Sequence, residues 1–585
     1  MVDLGDREKY RQRRRRSIAS REESGTLVSD EIAEVSDLIP GIGEGYRWYD
    51  LPYRALRWLS SGWRFKVSPR FVRRWFNSGI NWLIPFNEHD RHFAQRLDGW
   101  MHNIRAPEDE HVTTPSIWVV ELFPPTDLPK LEAALRKNGW NVRHRYSPID
   151  DPNQVVLQRA RSGEGSNWWT LTNVFRHDRN WFAMDGVREH LPPEFDYIEL
   201  KAVQVGQSMT AVVAEFHMRD EAARALDAEW HMQHEPLLLW GRPRPRSLDR
   251  HWATIHQVQL ARRSMHYAAR DWLSAKLPGF FARAERPQPL LELMLFDNLD
   301  PTVLPRPAQN QDERISQDDA LRALGLERPV FHMLTSPQLP KLVLHQLRNI
   351  GKDPLGDDPT WTLWGSRPAV VKAIGEDALR YVTGDDNRKI AHRLAGSMSN
   401  LFVMIATSYY LVETERRFAE IRDRAGARHG KFRPRAVRQL RGSFLTLSLD
   451  LASVQRDVAA FWKRDWYWEG DPKFSYVASP DERSQARQAK RTVEAPLSFN
   501  DGLCERHEEW FAQLREADTD YRDILSTVAS LGSSADAYRT GRLALWVAVV
   551  SLVVATATVL VSEVDGKSLF GWLWPALQSW LGVHP

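Results

Sequence analysis

One stretch near the end of the chain constrains the fold more than any other. Leu543 to Val561, "LALWVAVVSLVVATATVLV", contains nineteen residues and no charged side chain. A helix of that length rises about 28 Å, close to the roughly 30 Å hydrocarbon thickness of a bilayer. The sequence therefore predicts one transmembrane helix within residues 541–562. The alternative interpretation is a fully buried helix.

Flanking charges predict the orientation of this span. Arg539 and Arg542 precede it, whereas residues 563–567 carry two acids and one lysine. Cytoplasmic flanks are the more basic ones. The first thirty residues contain "RQRRRR" but no apolar run typical of a secretory signal, and a single cysteine, Cys504, fits a reducing compartment. We therefore expect a single-pass membrane protein with residues 1–540 in the cytoplasm.

Residues 563–585 are predicted to be a Trp-rich tail, in which a Gly-containing turn is followed by an uncharged stretch over residues 568–585. On a helical wheel its Gly, Pro, Gln and Ser residues share one sector, which predicts an amphipathic helix. Three interfacial anchors are expected, because tryptophan favours the headgroup region: Trp572, Trp574 and Trp580. The favoured interpretation is a helix lying on the outer leaflet, and a second crossing is the alternative.

A second uncharged stretch, Leu394 to Val412, is also nineteen residues long. Ser, Asn, Thr and two Tyr dilute its apolar content, so the prediction is a buried core helix. If it crossed the membrane instead, the orientation above would invert.

Two heptad repeats precede the span, in a predicted helical stalk over residues 391–540. Apolar residues at alternating steps of four and three are typical of a coiled-coil seam. The seam residues are Val437, Leu440, Phe444, Leu447, Leu451, Val454, Val458 and Phe461 in the first repeat, and Trp510, Leu514, Ala517, Tyr521, Ile524, Val528, Leu531, Ala535 and Tyr538 in the second. The seam fits an intramolecular hairpin as well as a homo-oligomer.

The two heptad helices would be about 37 and 43 Å long. Antiparallel pairing is the simplest arrangement, with the polar residues 470–498 as a long mobile connection. It would bring the start of the first helix beside the membrane. That start is basic and contains no acid: Arg428, Lys431, Arg433, Arg435, Arg438 and Arg441. These residues form either a solvated face or a contact to anionic lipid.

The N-terminal residues change character near position 46. Residues 1–45 are polar and charged and are predicted to be a disordered basic tail. Residues 46–112 begin with a Trp- and Arg-rich segment, "YRALRWLSSGWRFKVSPRFVRRWF". Such a segment suits a packed element, an anionic membrane surface or stacking on nucleic-acid bases. Over the whole chain 79 basic and 76 acidic residues nearly cancel, so nucleic acid is not an expected partner.

Mixed periodicity then predicts an α+β region made of one module at 113–250 and, after a helical linker, a second within 251–390. Strands such as "SIWVVELF" and "TAVVAEFHM" alternate with helices, one of them capped by Asp127. Helices on one face of a mostly antiparallel sheet are the expected architecture. "DLPKLEAALRKNG" and "QLPKLVLHQLRNIG" stand 211 residues apart, which indicates either an internal duplication or a coincidence.

Catalytic motifs are missing from the sequence. No phosphate-binding loop, nucleophile elbow or kinase motif occurs. Two clusters of His and acidic residues, around His89 and His92 and at Glu229, His231, His234 and Glu235, lack the spacing of a zinc hydrolase. We therefore assign no catalytic residue, metal or cofactor from the sequence.

The order of elements resembles that of the CorA-type divalent-cation channel family: an α+β cytoplasmic body, long helices and a short C-terminal membrane segment. The resemblance covers roughly residues 115–585 in organisation alone. The family's Gly-Met-Asn signature after the first span is missing, since Met404 is the last methionine and Lys567 follows Gly566. Ion selectivity is therefore not transferred to any residue of this chain.

Three functional hypotheses follow. The first is a C-terminally anchored cytoplasmic interaction or sensory protein, oligomeric through its heptad helices, with membrane lipids and unidentified proteins as partners. The second is a divergent CorA-like transporter with two crossings. The third is a membrane-tethered enzyme that uses one of the histidine clusters.

Overall fold

The structure is a computed structural model of the chain. It describes residues 50–94, 104, 106–141, 152–164, 167–177, 186–232, 234, 236–239, 246–305, 311–346, 358–375, 384–427, 434–463, 471–561, 563–564 and 567–568. The predicted N-terminal tail, 1–45, lies outside these residues. Two compact units are present. Unit 1 is Met1–Glu413 with Asp450–Phe511, and unit 2 is Thr414–Leu449 with Ala512–Pro585.

The Trp- and Arg-rich segment folds into three helices, α1 (Asp50–Leu59), α2 (Gly62–Val67) and α3 (Arg70–Ala94). Buried Tyr53 and Leu83 hold α1 against α3. Gly79 permits this close approach, because a Cβ there would lie 2.9 Å from Leu56 Cδ1.

A twelve-stranded sheet dominates unit 1. Its strands are β1 (Val112–Thr113), β2 (Ser116–Phe123), β3 (Trp168–Arg176), β4 (Val187–Glu189), β5 (Phe195–Val205), β6 (Met209–Met218), β9 (Leu290–Phe296), β10 (His332–Ser336), β11 (Leu339–Gln346), β12 (Thr360–Ser366), β13 (Ser475–Ala478) and β14 (Leu497–Ser498). They run in the order β14-β13-β10-β11-β12-β9-β2-β6-β5-β3-β4, with β1 on β9. Pairing is antiparallel except at β9–β12 and β3–β4. A separate pair is formed by β7 (Leu237–Leu239) and β8 (Arg246–Leu248).

The helices of unit 1 follow the same chain order. They are α4 (Leu128–Lys137), α5 (Asn153–Ser162), α6 (Asp220–His231), α7 (Arg250–Lys276), α8 (Phe280–Arg283), α9 (Gln311–Ala323), α10 (Arg367–Ile374), α11 (Asp386–Ser397) and α14 (Pro480–Gln488), with a 3₁₀ turn at Pro125–Asp127 before α4. The helices α12 (Ser399–Ala427), α13 (Pro434–Lys463) and α15 (Phe499–Val561) have residues in both units.

The α+β class is confirmed, whereas the expectation of helices on one face is wrong. The main core packs α4, α5, α6, α7 and α9 on one face of the sheet. On the opposite face Trp361 of β12 donates its indole N–H to Tyr409 of α12 and packs against Phe499 of α15. Consecutive apolar residues, as in β2 "SIWVVELF", bury both faces of a strand, so both faces need a covering layer.

Of the two interpretations of the repeated string, the structure favours coincidence over an aligned duplication. Leu128–Leu131 begins helix α4, whereas the same four letters at 339–342 lie in strand β11. Lys341 adopts a left-handed φ of 69° there, and its ammonium binds Asp300 at 3.1 Å and Thr302 at 2.8 Å. Tertiary contacts therefore decide the conformation of this string, and the predicted second helix is a strand. The two predicted modules share one continuous sheet through the pairing of β2 with β9.

Local capping explains several helix starts, but not the one that was predicted. Asp249, Asp385 and Ser479 each accept a backbone N–H of their own first turn. Asp127 makes no such bond. Its carboxylate instead accepts from Lys130 at 2.8 Å and pairs with Arg283.

Residues 470–498 do not form a long connection without secondary structure. They contain β13, which pairs with β10 and with β14, then α14 and β14 itself. Asn500 fixes this segment by accepting the N–H of Phe474 at 3.0 Å.

The predicted core helix and the predicted membrane span differ in burial. In α12, residues 401–407 are all buried, which confirms the core-helix prediction. Among the described residues one helix is apolar enough to cross a membrane, Thr540–Val559 at the end of α15, with mean hydropathy 2.0 and none of it buried. A short hairpin follows, β15 (Glu563–Val564) with β16 (Lys567–Ser568).

Candidate functional site

The predicted seam residues lie on helices α13 and α15. Phe444, Leu447, Leu451 and Leu514 are buried, and Trp510 and Tyr521 are partly buried. The structure describes the helical backbone, but not the side chains, at four further seam positions, Leu440, Ile524, Val528 and Leu531. A coiled-coil stalk as such stays a prediction.

Within unit 2, a third helix joins the two heptad helices. The ring of Phe418 on α12 lies 5.7 Å from Phe444 on α13 and 6.0 Å from Tyr521 on α15, between centroids. Ser448 donates its hydroxyl to Asp518. Because Phe444 neighbours Tyr521 and Ser448 neighbours Asp518, α13 and α15 run antiparallel here.

The predicted lipid-contact residues are only partly described. Arg428, Lys431 and Arg433 lie outside the described residues, as do Trp572, Trp574 and Trp580. The backbones of Arg435, Arg438 and Arg441 belong to α13, and their side chains are not described. These assignments stay predictions.

The outer face of α1–α3 carries exposed aromatic and basic side chains. Phe76 is buried, whereas Trp58, Phe71 and Trp75 are 58 %, 74 % and 67 % exposed. The Arg64 guanidinium lies 3.8 Å from the Trp58 ring centroid, a cation–π contact. Arg57, Arg70 and Arg74 are also exposed, so aromatic and basic groups alternate on this surface.

A polar cluster lies on the sheet face opposite the main core, and we call it the β5–β6 cluster: Tyr197, Glu199 and Lys201 from β5, with Glu215 and His217 from β6. Strand register places Glu199 opposite Glu215 and Tyr197 opposite His217. His217 Nε2 lies 3.2 Å from Glu215 Oε1, and Lys201 Nζ lies 3.2 Å from Glu199 Oε1. The Tyr197 ring stacks on His217, with centroids 3.9 Å apart.

Burial dominates the electrostatics of this cluster. It raises the pKa of Glu215 well above its usual value, and the negative charge of Glu199 adds to the effect. Burial lowers the pKa of His217 well below its usual value, assisted by the positive charge of Lys201. Burial therefore favours the uncharged form of each of these two side chains. They are 2 % and 4 % exposed, so this conformation gives a substrate no access to them.

A second cluster faces solvent at one end of the sheet, and we call it the His–Asp cluster: His111, Asp227 and His231. His111 Nδ1 lies 2.9 Å from Asp227 Oδ2, and His231 Nε2 lies 3.5 Å from Asp227 Oδ1. One ligand atom from each of the three side chains lies within 4.8 Å of the other two. The two imidazole centroids are 5.2 Å apart.

Rigid elements position these three side chains. Asp227 and His231 stand one turn apart on α6, which packs against α7 and β1. His111 precedes β1, and its carbonyl accepts the N–H of Asp297 at 3.1 Å. The Val112 N–H donates to Asp227 Oδ1 at 2.8 Å, and the Glu110 carbonyl lies 2.8 Å from His231 Nε2. The cluster is therefore fixed by hydrogen bonds between α6 and the residues at the start of β1.

The structure separates the two histidines of the sequence cluster at residues 229–235, to which no site was assigned. His234 turns inward, where its Nε2 lies 3.1 Å from the Glu229 carbonyl. His231 points the other way, toward Asp227. Glu235 lies outside the described residues, and the side chains of His89 and His92 are not described.

Comparison with known proteins adds no relative. No family model, no curated protein and no solved structure matches this chain. Every functional statement therefore depends on the residues themselves.

Sequence reasoning missed both clusters, although each left a signal. In β5 and β6, polar residues at every second position, 197, 199 and 201 against 215 and 217, mark a polar sheet face. Asp227 and His231 are four apart on one helix, a spacing that places two ligands on one face. Their partner His111 lies 116 residues upstream of Asp227, and the sequence alone does not reveal that proximity.

Proposed function

We propose that this chain is a C-terminally membrane-anchored protein whose α+β unit is a cytoplasmic interaction or sensory module. The observation that carries the proposal is the apolar helix Thr540–Val559, twenty residues long and without a buried residue. The exposure of so many apolar side chains to water would be costly, and the length of the helix matches a bilayer. The basic residues before it support a cytoplasmic location for the unit.

The outer face of α1–α3 supports a role at the membrane surface. Exposed Trp58, Phe71 and Trp75, together with neighbouring arginines, suit the headgroup region of an anionic leaflet. Each basic residue near such a surface contributes about 1 kcal/mol. This face therefore supports membrane lipids as a partner and complements the predicted contact at residues 428–441.

We propose oligomerisation through one segment of the heptad helices only. Phe444 and Tyr521 already contact Phe418 of the same chain. This contact favours intramolecular use of the seam at that level, so a homo-oligomer would use seam positions 524–538. Light scattering of the detergent-solubilised chain, compared with an Ile524→Asp/Leu531→Asp variant, tests this assignment. Loss of a larger species in the variant supports it, whereas a monomeric wild-type chain removes it.

The CorA-like alternative requires a second crossing within residues 569–585. No described observation favours that crossing over an interfacial tail, so the alternative stays a hypothesis. The experiment that tests the anchor also tests this hypothesis.

That experiment is cysteine accessibility in intact cells. Single cysteines replace Ser562, Ser579 or, as a cytoplasmic control, exposed Thr519, in a Cys504→Ser background. An impermeant thiol reagent is applied before and after permeabilisation. Our proposal predicts labelling of positions 562 and 579 in intact cells, and of position 519 only after permeabilisation.

The other outcomes discriminate between the hypotheses. Labelling of 562 but not of 579 in intact cells would support two crossings, and ion-flux assays would follow. Labelling of 519 in intact cells would show that the orientation is inverted. Recovery of the whole chain in the soluble fraction would remove the anchor altogether.

A further inference from the structure

We propose that the His–Asp cluster is a binding site for a divalent transition-metal ion of the Zn²⁺ class, held by His111, Asp227 and His231. Two imidazoles and one carboxylate suit zinc and its first-row neighbours better than Mg²⁺ or Ca²⁺, which prefer oxygen ligands. This inference does not depend on the membrane anchor proposed above.

The spacing of the donor atoms fits such an ion. Bonds of about 2.1 Å separate neighbouring ligand atoms by about 3.4 Å in a tetrahedron and about 3.0 Å in an octahedron. The two histidine–carboxylate separations are 2.9 Å, to Asp227 Oδ2, and 3.5 Å, to Asp227 Oδ1, and one ligand atom from each of the three side chains lies within 4.8 Å of the other two. Binding of the ion therefore requires the three ligand atoms to draw together from separations of up to 4.8 Å.

The surroundings supply the outer contacts of a metal site. The Val112 N–H bond to Asp227 Oδ1 at 2.8 Å orients the carboxylate, as partners of metal ligands generally do. His231 Nε2 donates a hydrogen bond to the Glu110 carbonyl at 2.8 Å, so an ion that binds this nitrogen replaces and releases that proton. The His111 side chain is 54 % exposed, so the site is open to solvent on one side. An open position permits a water ligand and gives the ion a route of entry.

Local charge selects this cluster over the β5–β6 cluster, where Glu199, Glu215 and His217 also converge. There, Lys201 already neutralises Glu199 and opposes a further cation. Around His111 the acting charges are those of Asp227, Asp297 and Glu110, all acidic. Asp297 is paired with Arg367, which leaves Asp227 as the principal attraction.

The alternative is that these residues form hydrogen bonds alone. A His111–Asp227 ion pair accounts for one histidine, and the Glu110 carbonyl accounts for the other. Neither contact requires both imidazoles to face one carboxylate. The metal hypothesis requires both histidines to contribute to one affinity, and this requirement distinguishes the two.

The test uses the purified full-length chain in detergent, stripped with a chelator and titrated with Zn²⁺ and Co²⁺. We expect one ion per chain and d–d absorption of Co²⁺ at coordinated histidine. His111→Ala and His231→Ala should each weaken the affinity at least about tenfold. The matched control is His332→Ala, since His332 is likewise exposed and lies 3.6 Å from a carboxylate, that of Glu494. Its affinity should equal that of the wild type.

The unfolding temperature is a second measurement, which distinguishes the loss of a metal ligand from misfolding of the variant. Excess Zn²⁺ should raise the unfolding temperature of the wild type and of His332→Ala, but not that of His111→Ala. Because His111 is exposed, its removal should leave the metal-free unfolding temperature unchanged. Affinity within threefold of wild type in both His111→Ala and His231→Ala would overturn the proposal. Equal loss in His332→Ala, or no bound ion in the wild type, would overturn it too.

Discussion

Replacing Glu292 should destabilise unit 1 more than any surface substitution, because Glu292 neutralises a buried cation. Glu292 on β9 is paired with Arg262 of α7, and both side chains are 0 % exposed. Its second oxygen lies 2.8 Å from His266 Nε2. Arg262 also donates to Thr362 at 2.6 Å, a neutral partner that cannot balance the charge.

The expected magnitude follows from that burial. Removing one partner of a buried ion pair costs about 3–5 kcal/mol, since the other charge stays in a low-dielectric site. Because the unfolding entropy is about 2.1 cal/mol/K per residue, a unit of this size shifts by about 1 °C per kcal/mol, and Glu292→Leu should lower the unfolding temperature by about 3–5 °C. Glu327→Leu, at an exposed position, is the control and should change the stability by no more than about 0.5 kcal/mol.

A double variant makes the reasoning refutable. Arg262→Met/Glu292→Leu removes both charges and should recover most of the loss, because apolar pairs often replace buried ion pairs without cost. His266 then keeps an unsatisfied nitrogen, so the recovery should fall short by about 1–3 kcal/mol. Thermal unfolding followed by circular dichroism measures all four proteins. A single variant within 2 °C of wild type, or a double variant less stable than Glu292→Leu, would refute the argument.

Three further predictions concern other parts of the chain. Burial raises the pKa of Glu121 to about 7. The contribution of Glu121 to stability is therefore complete below the unfolded pKa near 4.5 and falls as the pH rises to 7, a decline of about 3 kcal/mol. Unfolding titrations at pH 5 and pH 8 should show this decline in the wild type and not in Glu121→Gln. Asp457 accepts the N–H groups of Gln207 and Ser208 at 2.7 and 2.6 Å, so Asp457→Ala should cost about 1–3 kcal/mol and accelerate hydrogen exchange at those two amides. Phe444 is 1 % exposed in unit 2, and Phe444→Ala should cost about 3–5 kcal/mol and increase proteolysis between residues 414 and 449, whereas exposed Leu449→Ala should change little.

The local sequence pattern was sufficient to predict an element wherever the residues of that element decide its conformation. The heptad segments at 437–461 and 510–538 are helical, the apolar segments around residues 116, 197 and 210 are strands, and the diluted apolar run from Leu394 lies in helices α11 and α12. In each case the period of apolar residues over ten or more positions, or the continuity of a short run, outweighs single propensities.

Prediction from the local pattern failed where contacts with distant residues decide the conformation. Leu-Pro-Lys-Leu is helical at 128 and extended at 339, because the second copy is held in a hairpin between β10 and β12. Residues 475–478 became a strand because β10 offered a free edge. The candidate metal site was equally hidden, since His111 and His231 belong to different elements and meet only after β1 pairs with β9.

The sequence by itself determined the apolar helix near the C-terminus, the long helices before it and the α+β class, because each depends on periodicity along a continuous segment. The tertiary structure alone decided that one sheet joins both predicted modules, that helices cover both of its faces, and that His111, Asp227 and His231 share one corner. These features depend on which strands pair, and pairing is set by the burial of complementary surfaces from segments more than a hundred residues apart, which no local pattern encodes.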